Sequence, residues 1–155
     1  MKRKGFTLVE LLIVIVVIGV LSTMMMLSST EAVTSAKASN IISNLRNLKT
    51  AALSLYVNSL DQIATTQPKI AHVVKYMSNE KLDSDYNIAF SSSSNYDNAS
   101  WYITCKVNDK AVRGKLAGRA TSVGLLKASA ATGSITTTDP YAGNDSDTIV
   151  CIKVR

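Results

Sequence analysis

The residue whose type is hardest to place is Glu10, which stands at the entrance of a long apolar run. It is the only charged residue between Lys4 and Glu31. A carboxylate costs roughly 2.5–3.5 kcal/mol at the centre of a membrane helix, and less near the interface. The side chain therefore needs either the polar interface or a nearby cation, and the chemistry that Glu10 offers is ion pairing at an apolar boundary.

The chain contains no pattern that supports catalysis. Its single His and two Cys are too few for a zinc ribbon or a haem-type site. It has no phosphate-binding loop, no nucleophile elbow and no pair of catalytic carboxylates. His72 has no Cys or second His beside it, which favours an ordinary surface or packing role. We therefore expect a protein that is not an enzyme and that has no cofactor.

Length and net charge indicate which classes of protein remain after catalysis is set aside. A chain of 155 residues with 46% hydrophobic and 18% charged residues predicts about one folded domain rather than a disordered protein. The formal net charge is +6. Without Lys2, Arg3 and Lys4, fourteen basic residues remain against 11 acidic ones, which leaves +3. Half of the basic excess is thus confined to the N-terminus and does not by itself indicate nucleic-acid binding.

The stretch Leu11–Thr30 is uncharged and apolar enough to cross a membrane. Its twenty residues match the length needed to span a hydrocarbon core. The basic residues before it predict a cytoplasmic N-terminus and an exported remainder. An ordinary secretory signal cleaved near Ser28 or Thr30 is the competing interpretation. Against it, the stretch is long for a signal core and Glu10 interrupts its front.

Residues 2–26 resemble the class III signal of type IV prepilins and pseudopilins: Lys-Arg-Lys-Gly, then Phe-Thr-Leu-Val-Glu, then an aliphatic run. The resemblance implies that a membrane aspartyl peptidase cuts between Gly5 and Phe6 and N-methylates Phe6. Glu10 matches the acidic residue of the family, which implies a register-setting pair with the Phe6 ammonium of a neighbouring subunit. Leu27 stands where many members have Pro, which predicts a weaker kink.

The same resemblance divides the chain into three segments. These are a leader at residues 1–5, a transmembrane and filament-core helix at residues 6–30, and an exported globular domain at residues 31–155. The implied function is a structural subunit of a type IV pilus, forming a homo-oligomeric filament with a prepilin peptidase, an assembly platform and an ATPase as partners. The subunit would sit in the inner (cytoplasmic) membrane before assembly and at the cell surface afterwards.

Two other functions remain open at this point. One is a pseudopilin of a type II secretion or DNA-uptake system, which carries the same signal. The other, from a different class, is a membrane-anchored adhesin or binding domain that never polymerises. The adhesin differs from the pilin and the pseudopilin in what it requires of Glu10, because only a subunit that polymerises needs the Glu10 charge for assembly.

Hydrophobic periodicity predicts an α+β fold for the chain. Apolar residues recur at spacings of three and four from Ala38 to Leu55, so one helix is expected from about Phe6 to Leu60. A short helix is expected behind Pro68, and helical spacing returns from Val112 to Val123. Strands are predicted at Tyr86–Phe90, Trp101–Val107 and Thr148–Val154, with loops at Ser91–Ser100 and Gly133–Asp147. The resemblance implies a pilin-like architecture, with a small antiparallel sheet packed on the second half of the helix.

Cys105 and Cys151 fall in two of these strands, and exported cysteines usually pair. A disulfide between them would stabilise the fold by about 4 kcal/mol in the chain-entropy model, and many pilins close their C-terminal region with one. Strand alternation raises a conflict, because it puts Cys151 on the side of Ile149 and opposite to Val150, Ile152 and Val154. If those three face the core, the cysteines point to different faces, and the expected disulfide then requires a bulge or an edge strand.

The last predicted loop carries several oxygen ligands. A calcium site is one interpretation, and one pseudopilin group that this chain resembles has a calcium loop near its C-terminus. The spacing fits no EF-hand, so a solvated turn is the simpler interpretation. The weak calcium candidates are Asp139, Asn144, Asp145 and Asp147.

A run of basic residues occupies the middle of the exported domain. Surface solubility is the plain interpretation, and contact with nucleic acid or an acidic host surface is the alternative. The residues concerned are Lys110, Arg113, Lys115, Arg119 and Lys127; we call them the basic stretch.

Overall fold

The computed structural model describes residues 6–58, 67–77, 84–91, 99–138 and 140–155. One helix dominates it: α1 (Leu8–Asn58) runs unbroken for 51 residues. Its only glycine is Gly19, and it contains no proline, so its sequence has no strong helix breaker. At 1.5 Å per residue α1 is about 77 Å long.

Beyond α1 the described residues form three short helices and one sheet. The helices are α2 (Ile70–Val74), α3 (Lys110–Ala117) and α4 (Ala120–Val123). The strands are β1 (Tyr86–Phe90), β2 (Trp101–Lys106), β3 (Leu125–Ala128), β4 (Gly133–Ser134), β5 (Thr137–Thr138) and β6 (Ile149–Lys153). They lie in the order β4-β1-β2-β6-β3-β5. All neighbours pair antiparallel except β1 and β4, which are parallel.

The register of β2 and β6 decides which side chains face α1. Ile103 lies opposite Ile152, and Cys105 lies opposite Val150. Residues directly opposite each other share a face of the sheet, and all four belong to the main core cluster. Cys151 lies opposite Thr104 and belongs to a second, smaller cluster. Strand alternation therefore runs through the centre of the sheet without a bulge in this pair.

The second half of α1 supplies the other wall of the main core. Ala38, Leu45 and Leu48 are fully buried there. At the far end of the helix, Trp101 of β2 is also fully buried and meets two rings edge to face. The ring centroids are 5.4 Å apart for Tyr56 and 5.6 Å apart for Phe90. The apolar stripe thus packs on the sheet.

The face of the sheet that points away from α1 is covered by the chain after β3. Ile135 is buried against this face, and its backbone N–H donates to the carbonyl of Phe90 at 2.8 Å. Thr104 is fully buried there and donates its hydroxyl to the carbonyl of Ala131. Because both faces are covered, the central strand β2 is buried along five of its six residues.

One local feature begins α3, and another lets the C-terminal loop lie against it. Asp109 caps the helix, since its Oδ1 accepts from the backbone N–H of Ala111 at 2.9 Å. Gly143 approaches α3 so closely that an added Cβ would lie 2.6 Å from the carbonyl oxygen of Arg113. Its φ of +70° also lies in the left-handed region that favours glycine. The loop after β5 can therefore lie directly on α3.

The α+β prediction is confirmed: a long N-terminal helix packs on a small sheet. The sheet is mixed rather than wholly antiparallel, because the two-residue strand β4 joins its edge in parallel. β3 was not predicted, and β4 and β5 occupy part of the expected loop Gly133–Asp147. The expected helix end at Leu60 and most of the loop Ser91–Ser100 lie outside the described residues.

A pair of leucine truncations tests the packing of α1. Leu45 is fully buried and Leu53 is 37% exposed on the same helix. We expect Leu45→Ala to lower the free energy of unfolding by about 2–5 kcal/mol, because it leaves a cavity. We expect Leu53→Ala to lower it by less than about 1 kcal/mol. Urea denaturation of the detergent-solubilised chain, followed by Trp101 fluorescence, measures both. Equal losses would contradict this packing.

Candidate functional site

The start of α1 is organised around Glu10. Thr7 donates to Glu10 Oε2 from its backbone N–H at 2.9 Å and from its hydroxyl at 2.7 Å. The N–H of Glu10 in turn donates to Thr7 Oγ1 at 3.3 Å. This reciprocal arrangement is a capping box, in which two backbone N–H groups at the helix start find acceptors. The sequence signal that predicts such a box is Thr-x-x-Glu before an apolar run, and residues 7–10 contain it.

The capping box uses only part of the Glu10 carboxylate. The three hydrogen bonds involve Oε2 and the backbone, and within the described residues Oε1 accepts no hydrogen bond. Phe6, the expected first residue after cleavage, is 79% exposed. Gly5 and the rest of the leader lie outside the described residues. Cleavage, methylation and pairing with a neighbouring subunit remain predictions.

The first half of α1 presents apolar side chains in every direction. Large apolar residues from Phe6 to Met26 are between 48% exposed, at Val14, and 80% exposed, at Leu8. Among the described residues, α1 is the one helix long and apolar enough to cross a membrane, and its most apolar window is not buried in the protein. So large an apolar surface needs lipid or another protein to cover it.

Three residues of the basic stretch form ion pairs that join α3 and β3 to the C-terminal loop. Lys110 and the buried Arg113 both pair with Asp145, at 3.1 and 3.3 Å, and Lys127 pairs with Asp147 at 2.6 Å. Intramolecular partners thus satisfy much of the charge that a nucleic acid or an acidic surface would otherwise attract.

The remaining two residues of the stretch reach α1. Lys115 lies 3.9 Å from Glu31, and Arg119 donates to the hydroxyls of Ser39 at 2.7 Å and Ser35 at 3.2 Å. These contacts join the helices that follow β2 to α1 just beyond its uncharged segment.

The calcium candidates in the C-terminal loop are not brought together as a ligand set. Asp145 faces Lys110 and Arg113, and Asp147 faces Lys127. Asp147 Oδ2 also accepts from the backbone N–H of Asn144 at 3.2 Å. Among the described residues no group of three or more acidic, His or Cys side chains could hold a metal ion. Asp139 lies outside the described residues.

The ion pairs set the protonation of the loop. Hydrogen bonding to Lys127 lowers the pKa of Asp147 below its usual 3.8, although burial of the carboxylate opposes this. Hydrogen bonding to Lys110 likewise lowers the pKa of Asp145. Burial raises the pKa of Tyr141 to about 12, and its neutral hydroxyl donates to the carbonyl of Asp147 at 2.7 Å. The loop is therefore held by charged carboxylates and a neutral phenol at neutral pH.

The two cysteines lie on opposite faces of the sheet. Cys105 faces α1 in the main core, whereas Cys151 faces the covering loop in the second cluster. Both are buried in neighbouring strands whose register contains no bulge to turn one of them over. The structure does not bring them together, and the predicted disulfide is not confirmed. The alternation of Val150, Cys151 and Ile152 had already signalled this outcome.

Comparison with known protein families concerns the N-terminal end of the chain. Residues 1–26 match the prokaryotic N-terminal methylation motif. This motif is characteristic of type IV pilins and pseudopilins, and it points to a structural subunit rather than an enzyme. The matched region ends within the apolar half of α1. The whole chain has no significant match among curated proteins or solved structures.

Replacing Lys127 tests the ion pair in the C-terminal loop. Lys127→Met leaves the buried Asp147 carboxylate without its ammonium partner, and we expect it to lower the free energy of unfolding by about 1–3 kcal/mol at pH 7. Because the pKa of Asp147 is lowered in the fold, the pair stabilises above about pH 4. Its contribution is lost as the pH falls through the folded pKa. Denaturation curves at pH 7 and pH 3 should show the penalty shrinking at the lower pH. A penalty independent of pH would contradict this role.

Proposed function

We propose that the chain is the structural subunit of a type IV pilus, made as a prepilin and polymerised through its N-terminal helix. The observation that carries the proposal is the methylation motif at residues 1–26, placed on a helix whose apolar surface is exposed on all sides. A chain built only for export would have no use for such a surface after cleavage. A filament subunit uses it twice, first in lipid and then against other copies.

Before assembly, Leu11–Thr30 spans the cytoplasmic membrane with the N-terminus on the cytoplasmic side. The exported domain then folds on the outer side around the second half of α1. Moving the subunit into the filament exchanges lipid contacts for contacts with neighbouring helices, so the helix needs no change of secondary structure. The assembly platform and the ATPase that drive this exchange are partners implied by the motif.

Cleavage after Gly5 changes the charge at the start of the chain. It removes Lys2, Arg3 and Lys4 and leaves one ammonium on Phe6, which stays charged after N-methylation. Oε1 of Glu10 can accept a hydrogen bond from the Phe6 ammonium of a neighbouring subunit, while Oε2 accepts the two hydrogen bonds from Thr7. A buried ion pair adds little net stability, but leaving one partner unpaired is costly, so the pair favours one axial register.

A pseudopilin of a type II secretion or DNA-uptake system is the second candidate, because the motif is common to both groups. The C-terminal loop favours the pilus over a calcium-dependent secretion pseudopilin. Its carboxylates at Asp145 and Asp147 already face cationic side chains. A non-polymerising adhesin is less favoured, because a membrane anchor alone has no need of a carboxylate at the start of its apolar helix.

The mass of the mature N-terminus tests the processing step. In protein purified from its native envelope, we expect the chain to begin at N-methyl-Phe6, with the five leader residues absent. Mass spectrometry of the intact chain and of its N-terminal peptide gives the answer. A chain beginning near Ser29 or Thr30 would mean ordinary secretion and would exclude assembly through α1.

A charge-only substitution tests the assembly step. Glu10→Gln keeps the capping box, because Gln accepts the same hydrogen bonds, but it removes the charge that pairs with Phe6. We expect at least about a tenfold loss of filaments, counted by electron microscopy, with normal cleavage.

The matched control is Glu31→Gln, which removes one charge from an exposed position of the same helix. We expect it to assemble normally, since exposed ion pairs contribute little. If both variants assembled as the wild type does, the register role of Glu10 would be wrong.

A further inference from the structure

A surface hollow of about 310 Å³ lies between α1 and the turn that joins α3 to α4. It is lined by Ser39, Ile42, Ser43, Arg46, Asn47 and Arg119. Two of these side chains are guanidinium cations, three are neutral hydrogen-bonding groups, and none is a carboxylate. The hollow is therefore a local concentration of donors and positive charge.

Arg119 is held in place by neutral groups. Its two terminal nitrogens donate to the hydroxyls of Ser39 and Ser35 on α1, at 2.7 and 3.2 Å. The other four residues of the basic stretch each face a carboxylate. A hydroxyl orients a guanidinium without cancelling its charge, and a guanidinium has five N–H donors. Arg119 is thus fixed in position with charge and donors to spare.

The α1 side of the hollow carries donors that the fold does not use. Ser39, Ser43 and Asn47 follow one another at intervals of four residues, which places them on one face of the helix. The Ser39 hydroxyl is already engaged, since it donates to the carbonyl of Ser35 at 3.0 Å and accepts from Arg119. Arg46 stands beside them and is exposed. Within the described residues, the side chains of Ser43, Arg46 and Asn47 make no hydrogen bond or ion pair. They are available to an acceptor that enters the hollow.

We propose that this hollow binds a small phosphate-type oxyanion between Arg46 and Arg119. The planar fork of a guanidinium matches two oxygens of a phosphate group, so Arg46 can engage the anion with two parallel hydrogen bonds. Arg119 adds its charge and the N–H groups that its bonds to Ser35 and Ser39 leave unused. Ser43 and Asn47 supply further neutral donors. Among the residues that the structure describes, no carboxylate lines the hollow to compensate this charge.

The position of the hollow along α1 favours an anion from the water over a lipid headgroup. Ser39 and Arg46 lie about 13 and 24 Å beyond Thr30 along the helix axis. The headgroup layer takes up only about 5–8 Å on each side of the hydrocarbon core. With Leu11–Thr30 in the membrane, lipid phosphates lie below the hollow. This step alone rests on the proposed membrane topology; the binding itself does not.

Phosphate titration of the full-length chain in a neutral detergent tests the site. Isothermal titration calorimetry with inorganic phosphate, at an ionic strength held constant with chloride, should show saturable binding of one anion per chain. We expect Arg46→Gln to weaken binding about tenfold, because it removes a charged donor. Asn47→Leu should weaken it less, without any change of charge.

The matched control is Lys37→Gln, which removes one charge from an exposed position of α1 outside the hollow. It should leave the affinity within about twofold of the wild type. Lys37 stands two residues from both Ser35 and Ser39, so it leaves α1 on the other side of the helix, where a single exposed charge is largely screened from the hollow. No saturable binding by the wild type would overturn the proposal. So would equal weakening by Lys37→Gln and Arg46→Gln, which would mean diffuse attraction.

A second arm separates the two sources of phosphate. The wild type and Arg46→Gln are reconstituted in phosphatidylcholine vesicles and in phosphatidylglycerol vesicles, and inorganic phosphate is titrated into each. We expect the ratio of the two affinities to be the same in both lipids. A ratio that falls to one in phosphatidylglycerol would place a lipid phosphate in the hollow and overturn the assignment to a soluble anion. Neither arm depends on filament formation.

Discussion

A helix of 51 residues is about 77 Å long, whereas a compact domain of about 100 residues has a radius of gyration near 13 Å. No domain of that size can cover the whole of α1. The sheet buries one face of the second half, and the first half is left with an apolar surface that the chain itself cannot cover. A membrane or the proposed filament would each cover this apolar surface, which the length of α1 leaves exposed.

Several charged side chains of the globular part of the chain contact the same helix. Where α1 leaves its uncharged segment, Lys115 and Arg119 reach across from α3 and its following turn to Glu31, Ser35 and Ser39. Further along the chain, the C-terminal loop is held by ion pairs to Lys110, Arg113 and Lys127. Cations that look like a binding surface in the sequence are therefore largely structural, and the exception is the pair of guanidiniums beside the hollow.

Much of the fold could be predicted from local patterns. The extent of α1 followed from apolar periodicity and the lack of proline, and the faces of β2 and β6 followed from strand alternation at Ile103 and Ile152. β3 could not be found in this way, because Leu126 follows Val123 at three residues and so continues the helical spacing of the preceding segment. What separates them is Gly124, which adopts a left-handed conformation and closes α4. The pairing of β4 with β1 depends on contacts distant in sequence, which periodicity does not register.

The features of the candidate site that are local in sequence could also be predicted. Residue types alone single out Glu10 before an apolar run, and the spacing of Thr7 and Glu10 predicts the capping box. The partners of Asp145 and Asp147 could not be predicted, since they come from α3 and β3, and only the fold brings them within reach. A cluster of carboxylates in sequence cannot be distinguished from a cation site until the positions of the lysines are known.

The two outermost strands of the sheet, β4 and β5, are only two residues long. A strand that short offers few backbone groups to a foreign strand, so the sheet has little capacity to extend into the sheet of another molecule. Crowded side by side on the proposed fibre, domains of this kind would resist fusing into a continuous β-structure. Lateral order in such a fibre would come from its helices and from side chains, and each domain could separate intact when the fibre is taken apart.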